Sequence, residues 1–147
     1  MDFEAKIAEL GLLIPKPAKP AGSYKPCVIV DNFAYISGQG PLLEDGSFAK
    51  GKVGADVDLE TAQNHAKLCG LAILSALKNE IGSINKVDQL IKLTGFVNCI
   101  ESFTQQPLVI NGCSNMMKDI FGETGVHARA AVGCLLYTSD AADEIVR

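Results

Sequence analysis

His127-Ala128-Arg129-Ala130-Ala131-Val132-Gly133 sets one arginine in a short apolar run that otherwise reads as a strand. An arginine there is unfavourable unless its planar fork of donors meets a carboxylate or a phosphate. Two readings follow: a structural arginine paired with an acid at a subunit boundary, or a group that grips an acidic ligand. His127 lies two residues away, so on a strand both side chains leave by the same face. The histidine then either lines the same cleft or packs.

Working outward, Pro107 opens a helix through Val109, Cys113, Met116, Met117 and Ile120 that ends near Gly122, with Glu123 solvated in the loop beyond. Val87 to Val97 is rich in β-branched and large apolar residues and reads as a buried strand. Asp58 caps the longest helix, where Ala62, Ala66, Cys69, Ile73 and Leu77 recur at helical spacing, His65 faces the surface and Gly82 follows the end. Gly38 to Gly54 is a glycine-rich loop with a short strand near Phe48, and Cys27 to Ser37 reads as a hairpin turning at Asp31-Asn32. Pro15, Pro17, Pro20 and Pro26 impose an extended path, which lies across its own domain or else serves as a PxxP docking ligand. Asp2 caps a short helix with Phe3, Ile7 and Leu10 on one face and Gly11 as its stop. The order helix, β, β, α, β, α, β predicts an α+β fold: a mixed β-sheet with two helices packed on one face, plus the short N-terminal helix. The second sheet face stays uncovered, so an oligomer is expected.

The 147 residues fit one domain, and 48% hydrophobic with 20% charged residues is the balance of an ordered globular chain. A formal net charge of −4 argues against nucleic acid as a partner, since phosphate backbones are held by clustered Lys and Arg. Lys16, Lys19 and Lys25 are spaced among prolines rather than gathered on a helix. Five cysteines without a C-x-x-C pair read as reduced thiols of a cytoplasmic protein rather than as zinc ligands or a redox motif. Acids and lysine within the first ten residues are unlike a signal peptide, and no apolar run approaches the ~18 residues of a membrane span. Ser37-Gly38-Gln39-Gly40 lacks the lysine and the following helix of a phosphate loop. Gly38 admits a ligand close to the backbone or simply turns the chain, and Tyr24 stacks on a ligand or caps the core.

Gly22-Ser23-Tyr24, Tyr35-Ile36-Ser37-Gly38-Gln39-Gly40-Pro41, Gly51-Lys52-Val53-Gly54, Gly95-Phe96-Val97-Asn98 and Asn111-Gly112-Cys113-Ser114 lead in order to the arginine strand. This series resembles the reactive-intermediate (imine/enamine) deaminase family RidA, also called YjgF, and most of all its longer branch, labelled endoribonuclease L-PSP or YjgF/chorismate-mutase-like. The resemblance covers Leu12 to Gly133. It implies a chorismate-mutase-like fold, a homotrimer with a ligand cleft at each subunit interface, and no metal or organic cofactor. By motif, Arg129 matches the arginine that clamps a substrate carboxylate, Gly38 the loop glycine whose N–H helps hold it, and Tyr24 the tyrosine lining the cleft. Asn111 faces the same cleft, although the helix spacing there differs. The family's cysteine two residues after the arginine is here Ala131. The implied reaction is hydrolysis of a 2-imino or enamino acid to a 2-keto acid and ammonia, with a water positioned by a glutamate on the last strand. Alternatives are a non-catalytic or chaperone-like trimer that binds small carboxylates, and an endoribonuclease.

After Gly133 the family continues with a Leu-Pro turn and that last strand. This chain instead reads Cys134-Leu135-Leu136-Tyr137-Thr138-Ser139-Asp140-Ala141-Ala142-Asp143-Glu144, which resembles an in-frame translation of a transposase sequencing adapter. Residues 1–133 are therefore expected to be the domain and 134–147 a non-native tail in place of the closing strand, leaving a sheet edge unpaired and the chain poorly stable. Glu144 falls in register with the family glutamate, fifteen residues past Arg129, but is not taken as catalytic.

Overall fold

Asp58 accepts a hydrogen bond from the Thr61 N–H at 2.8 Å and so starts the long helix α2 (Leu59–Ile81), which Gly82 ends at φ 88°. The computed structural model describes residues 1–134. Around α2 they place α1 (Phe3–Glu9), the strands β1 (Cys27–Val30) and β2 (Phe33–Ile36), then β3 (Lys92–Asn98), α3 (Gln106–Phe121) and β4 (Ala128–Cys134). Short 3-10 turns occupy Ile84–Lys86 and Gly122–Gly125. The tail beyond Cys134, Glu144 included, lies outside the described residues.

From Leu71 to Leu77 α2 is buried on nearly all sides, by α3, by the hairpin and by the N-terminal segment. Ser75 is buried because its hydroxyl donates to the Pro15 carbonyl at 2.6 Å, and Leu12 and Ile14 pack on the core. At Pro15 the proline-bearing path thus lies across its own domain. The short helix α1 is anchored in turn. The Glu4 carboxylate accepts from Ser83 Oγ (3.0 Å), the Ile84 N–H (3.1 Å) and Lys78 Nζ (3.4 Å), while Asn85 bridges the Glu4 N–H and Asp2. Phe3 and Ile7 are buried, but Leu10 is exposed at the C-cap instead of sharing their face.

The hairpin forms as expected, with Asp31 at φ 51° in its turn, and the strand near Phe48 reduces to one bridge with Leu42. One expectation needs correction. The predicted strand from Val87 begins only at Lys92. Ser83 caps a 3-10 turn there, and the backbone of Leu90 bonds Thr124 O at 2.8 Å, while Val87 and Leu90 still pack on the core. Among the described residues the strands form two pairs, β1–β2 antiparallel and β3–β4 parallel, which together are the mixed set of the expected α+β fold. α2 covers the hairpin and α3 covers β3 and β4, so both helices lie on one side. The opposite side shows Val28, Val30, Phe33 and Tyr35 on the hairpin and Phe96 and Val132 on the parallel pair. Tyr35 is 62% and Phe96 68% exposed.

Candidate functional site

Arg129 pairs in register with Leu93, and alternation along β4 puts it on the helix-facing side with Ala131 and Gly133. What meets it there depends on how near α3 lies. Gly95 on β3 lies so close beneath α3 that a Cβ would run into the Ile110 side chain. Across the other flank, a Cβ on Gly112 would strike the backbone carbonyl of Gln63, whose side chain donates to Leu108 O at 2.8 Å. These two glycines let α3 sit close to both β3 and α2. Asn111 and Ser114, three residues apart on α3, then share the face above Arg129.

Arg129 Nη1 donates to Asn111 Oδ1 at 2.7 Å and to Ser114 Oγ at 3.2 Å. Ser114 Oγ is also 3.0 Å from His127 Nε2, and His127 Nδ1 is 2.7 Å from the Gly125 carbonyl oxygen. Arg129 is exposed, whereas Asn111, Ser114 and His127 are half-buried. Among the described residues the ion pairs are Lys6–Glu9 and Lys78–Glu4, and no carboxylate pairs with Arg129. Its Nε and Nη2 likewise have no hydrogen-bond partner among these residues. Among the described residues, then, no acid of the same chain neutralises Arg129. A guanidinium held by neutral groups on one nitrogen keeps its charge and its remaining fork for something else.

Burial pushes the nearby Cys113 thiol up to about 11, against the opposing charge of Arg129, and Cys69 up to about 12. These thiols are inert packing groups. Of the residues singled out in the sequence, the structure joins Asn111 to Arg129. Tyr24 and Gly38 flank the same end of the hairpin instead. The Tyr24 hydroxyl accepts from the Ala21 N–H at 3.3 Å, Gly38 faces open space, and the hydrogen bonds of the described chain link neither to Arg129. Ser114 closes the Asn111-Gly112-Cys113-Ser114 motif but has no role in the sequence reading, and its i+3 spacing from Asn111 is the signal that marks it. Among the described residues, no three His, Cys, Asp or Glu side chains converge as a metal would need. Two surface hollows, of about 300 and 250 Å³, lie between α2 and α3 and at the end of β3, and Arg129 lines neither. Among the described residues the site is an open edge of the chain, not an enclosed cavity.

Comparison with known proteins matches residues 4–138 to the family described as "YjgF/chorismate_mutase-like, putative endoribonuclease". The chain is similar to Protein TCP17 of Trypanosoma cruzi, 35% identical over 142 residues that cover 96% of this chain and 89% of that one. It is also similar to the crystal structure described as "the protein Atu1372 with unknown function" from Agrobacterium tumefaciens. That match has a TM-score of 0.81 and 43% identity over 90% of this chain and 80% of the other. The crystal structure of a "putative endoribonuclease" from Shewanella oneidensis MR-1 matches with a TM-score of 0.88 and 29% identity over 94% and 91% of the two chains. The motifs, the α+β architecture and these matches agree, and the chain belongs to the YjgF/chorismate-mutase-like family.

Proposed function

We propose that Arg129 binds the carboxylate of a small 2-imino or enamino acid and that the protein hydrolyses this substrate to a 2-keto acid and ammonia. The observation that carries the reading is a guanidinium whose Nη1 is tied to Asn111 and Ser114 and which, among the described residues, has no acid partner and no hydrogen bond on Nε or Nη2. That edge offers two parallel charged hydrogen bonds, the geometry a carboxylate takes best. With the carboxylate fixed, a water adds to the imine carbon, the nitrogen takes up protons, and the C–N bond breaks to leave the ketone and ammonia. Orientation of a reactive C=N bond is most of what such a step needs.

In this reading Tyr24 and Gly38 serve the Arg129 site of a neighbouring copy in a homotrimer, whose subunits join through the apolar sheet face that carries Phe33, Tyr35 and Phe96. A sedimentation mass of three chains supports this assembly, and a monomer refutes it. Free thiols at all five cysteines suit a reducing cytoplasm. RNA cleavage, named in the descriptions of the family and of the Shewanella relative, is the second reading. The acidic net charge speaks against it.

The test is an assay in which an amino-acid oxidase generates the imine and keto-acid release is followed. Added protein accelerates release, and Arg129→Ala abolishes the effect. Binding of 2-oxobutanoate without any acceleration instead selects the non-catalytic carboxylate trimer, and RNA degradation that survives Arg129→Ala selects the ribonuclease.

A further inference from the structure

Behind the guanidinium of Arg129 runs a chain of groups to which no role has been given: Ser114, His127 and the Gly125 carbonyl. We propose that Ser114 and His127 are positioning residues that lock the Arg129 guanidinium with its Nε/Nη2 edge turned outward, an inference that rests on the carboxylate reading of that site.

The argument is one of hydrogen-bond polarity. A carbonyl oxygen only accepts, so at 2.7 Å from Gly125 O the Nδ1 atom of His127 must carry a hydrogen. In the neutral ring Nε2 then holds a lone pair, and across 3.0 Å it accepts the hydroxyl hydrogen of Ser114. With its hydrogen committed to His127, Ser114 Oγ turns lone pairs toward Arg129 Nη1 at 3.2 Å. Asn111 Oδ1 takes the second Nη1 hydrogen at 2.7 Å. Both hydrogens of Nη1 are thereby used, and the fork left for a ligand is Nε–H with Nη2–H.

A serine hydroxyl without this histidine can rotate, and its other settings point the hydrogen at the guanidinium or back to the helix backbone. His127 removes that freedom. The relay also joins three elements, because Ser114 comes from α3, Gly125 from the 3-10 turn and Arg129 from β4. A flexible exposed side chain thus has its orientation set by half-buried groups, which is how a binding geometry is prepared before the ligand arrives.

Two measurements on the full chain test this. Nitrogen NMR of the neutral imidazoles should show His127, identified by the loss of its signal in His127→Phe, protonated on Nδ1 and bare on Nε2. Calorimetric titration with 2-oxobutanoate should show Ser114→Ala binding about two- to ten-fold more weakly, the range expected for one lost hydrogen bond. Ser114→Thr, which keeps the hydroxyl, should restore the affinity, and Arg129→Ala should abolish binding. A proton on Nε2 of His127 overturns the relay whatever the variants do. Wild-type affinity in Ser114→Ala, with binding lost in Arg129→Ala, also overturns it while leaving the carboxylate site intact. Wild-type affinity in Arg129→Ala removes both the relay and the reading on which it rests.

Discussion

Arg129→Lys keeps the positive charge and removes the planar fork, so it separates attraction from geometry. In the native site Nη1 bonds Asn111 and Ser114, while Nε and Nη2 have no partner among the described residues. A lysine has three hydrogens on one nitrogen, and bonding the same two neighbours leaves one hydrogen for a ligand in place of two aligned donors. One charged hydrogen bond to the substrate carboxylate is lost, worth about 1.5–3 kcal/mol. At about 1.4 kcal/mol per tenfold change, kcat/KM in the imine assay should fall roughly 10- to 100-fold. Stability should move by less than about 0.5 kcal/mol, because Arg129 is exposed and has no ion pair among the described residues. Both numbers come from one pair of experiments, kinetics and a thermal melt on the same preparation. If the lysine protein retains kcat/KM within about twofold, charge alone suffices and the two-pronged contact is wrong.

Gly112→Ala should destabilise the fold by about 1–3 kcal/mol or more in urea unfolding, since its methyl meets the Gln63 backbone carbonyl and drives α3 from α2. The Asp2 carboxyl is held below its ordinary value chiefly by the Ala5 N–H, and that of Glu4 chiefly by the Ile84 N–H and the Ser83 hydroxyl. Depressed carboxylates add stability above their unfolded values and lose it as pH falls through the lower folded ones, so the melting temperature should drop from about pH 5 downward. Glu4→Gln should flatten that acid limb. Cys69 and Cys113, with thiols raised to about 12 and 11, should escape alkylation in the native protein at mildly alkaline pH and react once urea unfolds it, as mass spectrometry reads directly.

Local chemistry made much of the fold legible. Asp58 and Gly82 bracket α2, Pro107 lies in the first turn of α3, and the Asp31-Asn32 pair turns the hairpin, because caps and turns are decided by neighbouring residues. Val87 to Ile91 misled because apolar content alone does not distinguish a strand from an irregular segment packed on the core. How the strands join was likewise hidden, since ladders depend on distant partners. At the site, Arg129 stood out as a charge in an apolar run, and Asn111 came from the family motif. Ser114 of the same motif carried no role of its own, because a serine on a helix is ordinary until the strand opposite is known to carry a guanidinium. His127 was visible through its i+2 spacing, but its Gly125 contact lies in a turn that periodicity does not report.

The most direct test is a crystal structure of the protein grown with saturating 2-oxobutanoate. The account predicts the two carboxylate oxygens about 2.7–2.9 Å from Arg129 Nε and Nη2, with Nη1 still on Asn111 and Ser114. A ligand seated elsewhere, with the Arg129 edge left to solvent, would contradict it.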